Sequence, residues 1–293
     1  LVVSSRELAW ARRAADAAVF AARRHDATAI LVSASPWACG LAVADLRQRS
    51  GRPVVLDLRD PWALDGWRAF RTPLHRRLDR ALMRRSLRAA DLVVANCPRA
   101  AAAYRALAGL PAERVVTIPN GFEAAEFPAR RRHVRTARPA DPATPFRIVH
   151  MGTLHDPDPR TARRGPFAGD RLAHHLRSGR TLLRAAGRLR RERPDLAERL
   201  RLVFHGQVHP GHEALAETEG IADLIEHHGY VDHDRVPEIL SHADAILVPL
   251  HGVEPGAEAL AVPGKLYDAL ASGRPVLRTL PAGDAQRLVR LAG

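Results

Sequence analysis

The sequence predicts an α/β fold built from two Rossmann-like, doubly wound parallel-sheet domains with a cleft between them. Short apolar runs such as 29–33 and Val54–Leu58 alternate with amphipathic stretches, the pattern of βαβ units whose strands are buried on both faces. The alternation stops in an arginine- and proline-rich stretch and then restarts. We therefore expect an N-terminal domain over 1–128, a linker over 129–145 and a C-terminal domain over 146–293.

Each predicted N-terminal element follows from the spacing of its apolar residues and from the proline, glycine and capping residues at its ends. Their expected order is helix 5–25, strand 29–33, helix 36–49, strand 54–58, helix 73–89, strand 91–95, helix 98–107 and strand 114–118. The strand over 54–58 delivers Arg59, Asp60 and Pro61 at its carboxyl end, where open α/β sheets place their ligand crevice. Arg59 and Asp60 are therefore functional candidates, although an ion pair at a strand end would explain them as well.

The C-terminal part repeats the alternation. Its expected elements are strand 147–150, helix 181–193, strand 202–205, a helix near Glu213, a strand ending at 229–231, helix 235–241, strand 245–248, a helix opening after Pro263 and strand 275–277. Between the first strand and the first helix lies a loop that runs to about Ser178. It is longer than a compact domain usually carries, which favours a functional role.

Composition excludes several classes of function. The chain has 293 residues, 46% of them hydrophobic, and no apolar run near the ~20 residues that span a bilayer. Its two cysteines suggest neither a disulfide scaffold nor a zinc site, and the histidines form no coherent ligand set. The net charge of +13 admits an anionic partner, but aromatic residues make up only 5%, too few for base stacking. We expect no nucleic-acid partner and no metal, and we keep peripheral contact with an anionic membrane as an alternative to a solvated basic surface.

The segment 263–277 carries the strongest chemical signal. Pro263 and Gly264 precede a short helix, and Gly273 ends it. Lys265 is the single lysine among 45 lysine and arginine residues, and it lies at the helix N-terminus, where free N–H groups and the helix dipole favour an anion. Asp268 is three residues further on the same face and could accept hydrogen bonds from two hydroxyl groups. A phosphate beside a sugar diol, as in a nucleotide sugar, would suit this pair.

Four segments, in order along the chain, resemble glycosyltransferase family 4, the retaining GT-B enzymes. Asp-Leu-Arg-Asp-Pro-Trp at 57–62 resembles the D-x-R-D-P-W signature of one bacterial branch, and 116–122 resembles the v-I-P-N-G-f segment that ends the N-terminal domain. His-Met-Gly-Thr-Leu at 150–154 resembles the glycine loop of the donor domain, and 263–276 resembles the P-x-K-x-[FY]-E-Y-L-A-x-G-x-P-V donor motif. The likeness covers nearly the whole chain.

The resemblance implies transfer of a sugar from a nucleoside diphosphate to a glycan, lipid-linked or small-molecule acceptor, with retention at the anomeric carbon and without a cofactor. It also implies a bacterial, cytoplasmic protein of polysaccharide biosynthesis, acting near the inner face of the plasma membrane. Catalysis would rest on electrostatic stabilisation of the leaving diphosphate. On this reading Lys265, Asp60 and Arg59 are the catalytic residues.

The resemblance also assigns the donor site. The implied donor-binding residues are Gly152, Thr153, Gly206, Tyr230, Val231, Gly264, Leu266, Tyr267 and Asp268. Gly152 and Thr153 would let backbone approach the diphosphate, and the amides of Leu266 and Tyr267 would face the phosphates. Gly206, with His205 before it, would line the base pocket together with Tyr230 and Val231. Asp268 would hold the ribose hydroxyls.

Some features depart from the family pattern. The residue eight before Asp268 is Leu260, where an acid is usual, and Glu254 and Glu258 are out of register. The family's second phosphate-binding cation cannot be chosen among five arginines, at positions 160, 163, 164, 177 and 180. The chain is expected to lack the family's first strand and its last helices. A non-catalytic GT-B-like binding module and a nucleotide-sugar epimerase of the same architecture therefore remain alternatives.

Overall fold

The computed structural model describes residues 5–65, 70, 72–127, 144–159, 176–250 and 258–292. These residues fall into two compact units. The first holds the residues up to Asn120 together with Glu258–Val262, and the second holds the remainder. Most of the predicted linker lies outside the described residues. No helix in the described part of the chain is long and apolar enough to cross a membrane.

The first unit contains five helices and four strands. In chain order these are α1 (Ser5–Arg24), β1 (Ile30–Ala34), α2 (Ala38–Leu41), α3 (Val43–Ser50), β2 (Val54–Leu58), α4 (Pro73–Ala89), β3 (Leu92–Ala95), α5 (Pro98–Ala108) and β4 (Val115–Thr117). The predicted helix over 36–49 is interrupted at Ala42, which both ends α2 and precedes α3.

The sheet of the first unit is parallel throughout, in the order β1-β2-β3-β4. Alternate residues of β2, namely Val54, Leu56 and Leu58, are fully buried, which explains why the sequence places apolar residues there. All four strands point the same way, so the turn after β2, with Arg59 and Asp60, lies at the carboxyl edge of the sheet.

Trp62 fixes the turn that follows Asp60. Its backbone has a φ of +45°, which non-glycine residues rarely adopt, and its ring is fully buried and stacked on Trp37 at 5.9 Å. The indole N–H donates a hydrogen bond of 3.1 Å to Oδ1 of the buried Asp79 on α4. A Cβ at Gly40 would lie 2.8 Å from the Trp62 ring, so the ring needs a glycine beneath it. Trp62 therefore shapes the loop that follows Asp60.

The second unit contains six helices and five strands. They are β5 (Phe146–Met151), α6 (Arg180–Glu192), α7 (Pro194–Ala197), β6 (Leu200–His205), α8 (Gly211–Glu219), β7 (Ile225–Gly229), α9 (Val236–Ser241), β8 (Ala245–Pro249), α10 (Gly264–Ala271), β9 (Val276–Thr279) and α11 (Asp284–Ala292).

The strands of the second unit are parallel in the order β7-β6-β5-β8-β9. The chain builds outward from β5 to β7 and then returns to the other side of β5 to add β8 and β9. The direction of winding thus reverses between β5 and β8, and such a switch point at the carboxyl edge is where open α/β sheets bind ligands. The doubly wound prediction is confirmed for this unit. Gly152 directly follows β5, and Lys265 lies on α10, the helix between β8 and β9.

Candidate functional site

Gly152 and Lys265 meet at the switch point of the second unit. Gly152 follows β5 with a φ of +107°, a backbone conformation open in practice to glycine alone. A Cβ at this position would lie 2.7 Å from Nζ of Lys265 and 3.4 Å from its Cε. The lysine side chain therefore lies directly on the glycine backbone, and a side chain at 152 would displace it.

Gly206 completes a cluster of closely packed strand ends. It follows β6, also with a φ of +107°, and a Cβ there would lie 2.6 Å from the carbonyl oxygen of Gly152 and 2.9 Å from its Cα. The Gly152 N–H donates to His205 O at 2.8 Å, and the Gly206 N–H donates to Gly229 O at 2.5 Å. The ends of three neighbouring strands thus carry glycines, and the backbones of Gly152 and Gly206 pack directly on each other.

The Lys265 ammonium is buried and has no hydrogen-bond partner among the described residues. Burial, with a further contribution from the positive charge of Arg177, lowers its pKa from 10.5 to about 8. An ammonium taken from water without a partner is costly, and a side chain held in that state is expected to have an anionic ligand as its missing partner.

Arg177 is the second cation near Lys265. Its charge lowers the pKa values of both Lys265 and His150, and its carbonyl accepts a hydrogen bond from the His155 N–H at 3.0 Å. Arg180, by contrast, donates through Nη1 to the Pro157 carbonyl at 2.8 Å. Of the two candidate arginines that are described, Arg177 is the one next to the lysine. The other three candidates lie outside the described residues.

His150 is a buried polar residue that the sequence assigned to the glycine-loop motif without a role. It is fully buried on β5, and its Nδ1 lies 2.9 Å from the carbonyl oxygen of Leu247, which requires Nδ1 to carry the hydrogen. Burial first, and then the charges of Lys265 and Arg177, lower its pKa from 6.5 to about 3. His150 is therefore a neutral imidazole beneath the lysine. The strand also carries Arg147, so a polar residue at position 150 gave no distinct signal in the sequence.

We expect His150 to make stability fall with acidity. Its pKa is lower in the folded state than in the unfolded state, so the unfolded chain binds a proton first as the pH falls. The free energy of unfolding is therefore unaffected by this group above about pH 6.5 and decreases as the pH falls below that value. In urea unfolding between pH 6 and 4, the free energy of unfolding should fall less steeply for His150→Gln than for the native chain. The two slopes should differ by about 1.4 kcal/mol per pH unit. Glutamine can still donate to Leu247 O, so the backbone contact is retained. Equal slopes for the two proteins would contradict the assignment.

The residues of the 263–277 segment near Lys265 differ in burial and in their contacts. Lys265 and Asp268 both line a small cavity of about 20 Å³. Burial raises the pKa of Asp268, while the neighbouring His233 opposes this shift. The Leu266 side chain is fully buried in the core, and its amide donates to the Pro263 carbonyl at 3.0 Å. Gly264 is exposed, and Tyr267 and Thr153 are half-buried.

A second, larger cavity of about 490 Å³ lies beside this cluster in the second unit. Three residues that the resemblance assigns to the base pocket line its wall, namely His205, Tyr230 and Val231. The other lining residues have no role predicted from the sequence: Arg147, Val149, Val203, His228, Arg235, Glu238, Ile239 and His242. The His205 and His228 rings stack at 4.9 Å with an interplanar angle of 17°. Tyr230 is 85% exposed, since β7 ends before it at Gly229.

The first unit places Arg59 and Asp60 at the carboxyl end of β2. Arg59 donates through Nη2 to Ile118 O at 2.9 Å and through Nη1 to Oδ1 of Asp57 at 3.3 Å. Arg59 thus ties the end of β2 to the end of β4, so the structural reading of this residue is the better supported one. Asp60 is exposed, and its carbonyl accepts from the Tyr104 hydroxyl at 3.4 Å.

Glu258 serves a structural contact within the first unit. Its carboxylate accepts two hydrogen bonds from the Arg99 guanidinium, at 2.5 and 2.8 Å. Glu254 lies outside the described residues. Among the residues that the structure does describe, no group of three acids, histidines or cysteines is arranged to hold a metal ion.

Comparison with known proteins gives two family matches. Residues 2–126 match the family described as Glycosyltransferase Family 4, and residues 167–291 match the family described as Glycosyl transferases group 1. A D-inositol 3-phosphate glycosyltransferase of Kineococcus radiotolerans is 28% identical over 206 residues. The match covers 67% of this chain and 42% of that relative.

Solved structures share the architecture at low sequence identity. Anabaena HepE in complex with UDP has a TM-score of 0.54 and 18% identity, over 95% of this chain and 71% of its own. Sucrose-phosphate synthase of Thermosynechococcus elongatus has a TM-score of 0.58 and 15% identity, over 92% and 60%. A putative UDP-N-acetylglucosamine 2-epimerase of Listeria monocytogenes has a TM-score of 0.51 and 13% identity, over 95% and 64%. These likenesses establish the two-domain Rossmann-like GT-B fold. The two family matches show that most of the chain is similar to glycosyltransferases.

Proposed function

We propose that this chain transfers a sugar from a nucleoside-diphosphate sugar, and that its second unit holds the donor. The observation that carries the proposal is the buried, unpartnered Lys265 ammonium lying on the positive-φ Gly152. The glycosyltransferase family matches and the UDP complex of the structurally similar HepE support it. The match to the D-inositol 3-phosphate glycosyltransferase covers 42% of that protein.

A diphosphate satisfies the charge of the site. Lys265 and Arg177 place two positive charges near one point, and each raises the cost of leaving the other without an anion. Because residue 152 is a glycine, the Lys265 ammonium can lie directly on the backbone at the end of β5, where a phosphate could meet it. A lysine is a compact charge suited to such a confined position.

The nucleoside would extend along the carboxyl edge of the second unit. Asp268 lies three residues after Lys265 on α10, on the same side of the helix, and would accept hydrogen bonds from the ribose hydroxyls. The 490 Å³ cavity beside it is ample for a base, with Tyr230 and Val231 at its wall. The His205 and His228 rings offer a flat surface there. In this proposal the nucleotide therefore binds entirely within one unit.

The reaction breaks the bond between the anomeric carbon and the diphosphate oxygen and forms a bond from the anomeric carbon to an acceptor hydroxyl. The hydroxyl proton passes to the departing diphosphate, whose negative charge Lys265 and Arg177 stabilise. The anomeric configuration would be retained without a lasting protein nucleophile. Asp60, exposed at the carboxyl edge of the first unit, would contact the transferred sugar or the acceptor, and Arg59 would hold that turn in place. A glycan or lipid-linked acceptor would suit the basic character of the chain.

The lowered pKa of Lys265 makes donor binding depend on pH. The free site releases a proton as the pH rises through about 8, whereas a bound diphosphate keeps the ammonium charged. We expect affinity for a nucleoside diphosphate to be constant from pH 7 to 8 and to fall up to about tenfold per unit above that. Lys265→Met should abolish this alkaline fall, and a native profile that stays flat to pH 10 would argue against a titrating lysine in the site.

Turnover of the donor tests the proposed reaction itself. The chain is incubated with UDP-, GDP-, ADP- and dTDP-sugars, and the nucleoside diphosphate and the sugar are both identified by chromatography. Release of one nucleoside diphosphate, lost in Lys265→Met, would support transfer with water as a slow acceptor. Binding without release would favour the non-catalytic module, and an altered sugar still joined to its nucleotide would favour the epimerase.

A further inference from the structure

Helix α4 in the first unit has an unusual surface. Its 17 residues include six arginines and a single acid, Asp79, and that acid is buried against Trp62. The inward face also buries Met83 and Leu87. The charge that the helix shows to the outside is therefore wholly positive.

All six arginines are exposed. Arg76 lies over the Phe70 ring and Arg88 donates to Ala108 O. The other four are Arg77, Arg80, Arg84 and Arg85, and in the described part of the chain none of these four forms an ion pair with a carboxylate. Positions 77, 80 and 84 are three and four residues apart, so their side chains follow one another along one face. Like charges at this spacing repel, which a bound anionic surface would relieve.

Helix α6 in the second unit shows that this arrangement is particular to α4. It is equally rich in arginine, but Arg188 pairs with Glu192 at 2.8 Å, Arg191 with Glu219 at 3.3 Å and Arg184 with Glu219 at 3.9 Å. Its positive charge is thus locally balanced. Arginine-rich composition by itself does not produce an unpaired row of cations.

Exposed leucines flank the arginine row. Leu74 is 72% exposed and Leu78 is 49% exposed, and their spacing of four residues puts both on one side of the solvent face. On a helical wheel they lie next to the face of Arg77 and Arg84, away from the buried side, and Arg85 lies between the two leucines. A row of cations beside an apolar row is the pattern of helices that lie in the head-group region of an anionic bilayer, with arginines on phosphates and leucines among the acyl chains.

We infer that the solvent face of α4, formed by Leu74, Arg77, Leu78, Arg80 and Arg84, binds the surface of an anionic lipid bilayer. Unpaired positive charge alone would suit any acidic partner. The leucines favour a bilayer, because a soluble acidic surface offers them no acyl chains to enter. This surface lies in the first unit, apart from the donor residues of the second, so the inference does not depend on the proposed reaction.

Vesicle flotation of the full chain tests the inference. We expect the chain to float with phosphatidylglycerol-containing vesicles and not with phosphatidylcholine alone. Arg77→Gln, Arg80→Gln and Arg84→Gln together should weaken vesicle affinity about 100-fold, from about fivefold for each arginine. The matched control removes the same charge from α6 by Arg184→Gln, Arg188→Gln and Arg191→Gln, and it should retain most of the binding.

The leucines provide a second variant that leaves charge unchanged. Leu74→Ser with Leu78→Ser should float at about 50 mM salt but lose binding at about 500 mM, where screening removes most of the electrostatic attraction. Circular dichroism and thermal melting of every variant confirm folding, and both leucines are exposed. Equal loss in the α4 and α6 triple variants, no binding by the native chain, or binding of RNA rather than vesicles through α4 would each overturn the inference.

Discussion

Lys265→Met is expected to weaken binding of a nucleoside diphosphate by about 10- to 100-fold, because the methionine fills the space without the charge-assisted hydrogen bonds to phosphate. The same change should stabilise the unliganded chain. Its ammonium is buried without a partner among the described residues, and its pKa falls from 10.5 to about 8. Removing that charge should raise the free energy of unfolding at pH 7 by up to about 3 kcal/mol.

Calorimetric titration measures the affinity and urea unfolding measures the stability. The pair of opposite effects separates a ligand site from a structural lysine, whose loss would lower both quantities or leave both unchanged. Lys265 is the single lysine of the sequence, so an amine-reactive reagent followed by peptide mass spectrometry gives an independent readout. Bound nucleotide should protect this residue, and unchanged labelling with saturating nucleotide would contradict the assignment.

Gly206→Ala should be the most destabilising single change at the site. The new Cβ would lie 2.6 Å from the Gly152 carbonyl oxygen and 2.9 Å from its carbonyl carbon, and backbone cannot move aside as a flexible side chain can. The φ of +107° adds strain that alanine does not accept. We expect a loss of roughly 3–4 kcal/mol in the free energy of unfolding.

Gly220→Ala is the matched control for that change. Gly220 also has a positive φ, of +69°, but a Cβ there meets nothing within 4 Å. It should cost only about 1 kcal/mol, the strain of a left-handed alanine alone. Equal losses in the two variants, measured by urea unfolding, would show that the packing of Gly206 on Gly152 is not what makes the glycine necessary.

Much of the fold could be predicted because several strands are short, mostly apolar runs bounded by proline, glycine or polar residues. The runs at Val54–Leu58 and Ala245–Pro249 have this form, and both are central strands of their sheets. Lys265 stood out for a local reason too, as one lysine after Pro-Gly in an arginine-rich chain. Such signals do not depend on how distant segments pair.

The remaining site features depend on contacts across the sheet. Arg177 could not be chosen among five arginines, because only the folded loop brings its charge near Lys265. His150 gave no distinct signal, since its proton position is fixed by Leu247, 97 residues away. The need for glycine at 206 arises from the register of β5 against β6, which a single strand does not encode. A catalytic role for Arg59 is implied by the family resemblance and stays a prediction, whereas only the folded chain shows its contacts to Ile118 and Asp57.

The most direct test of the central claim is calorimetric titration of the full chain with UDP, GDP, ADP and dTDP, at pH 7 and on both the native chain and Lys265→Met. We expect one nucleotide to bind selectively to the native chain, and we expect this binding to be weakened at least tenfold in the variant. Absence of binding to the folded native chain at about millimolar nucleotide, which corresponds to less than about 4 kcal/mol of binding free energy, would contradict it. Equal affinity in the two proteins would also contradict it, because the phosphate contact would then lie away from Lys265.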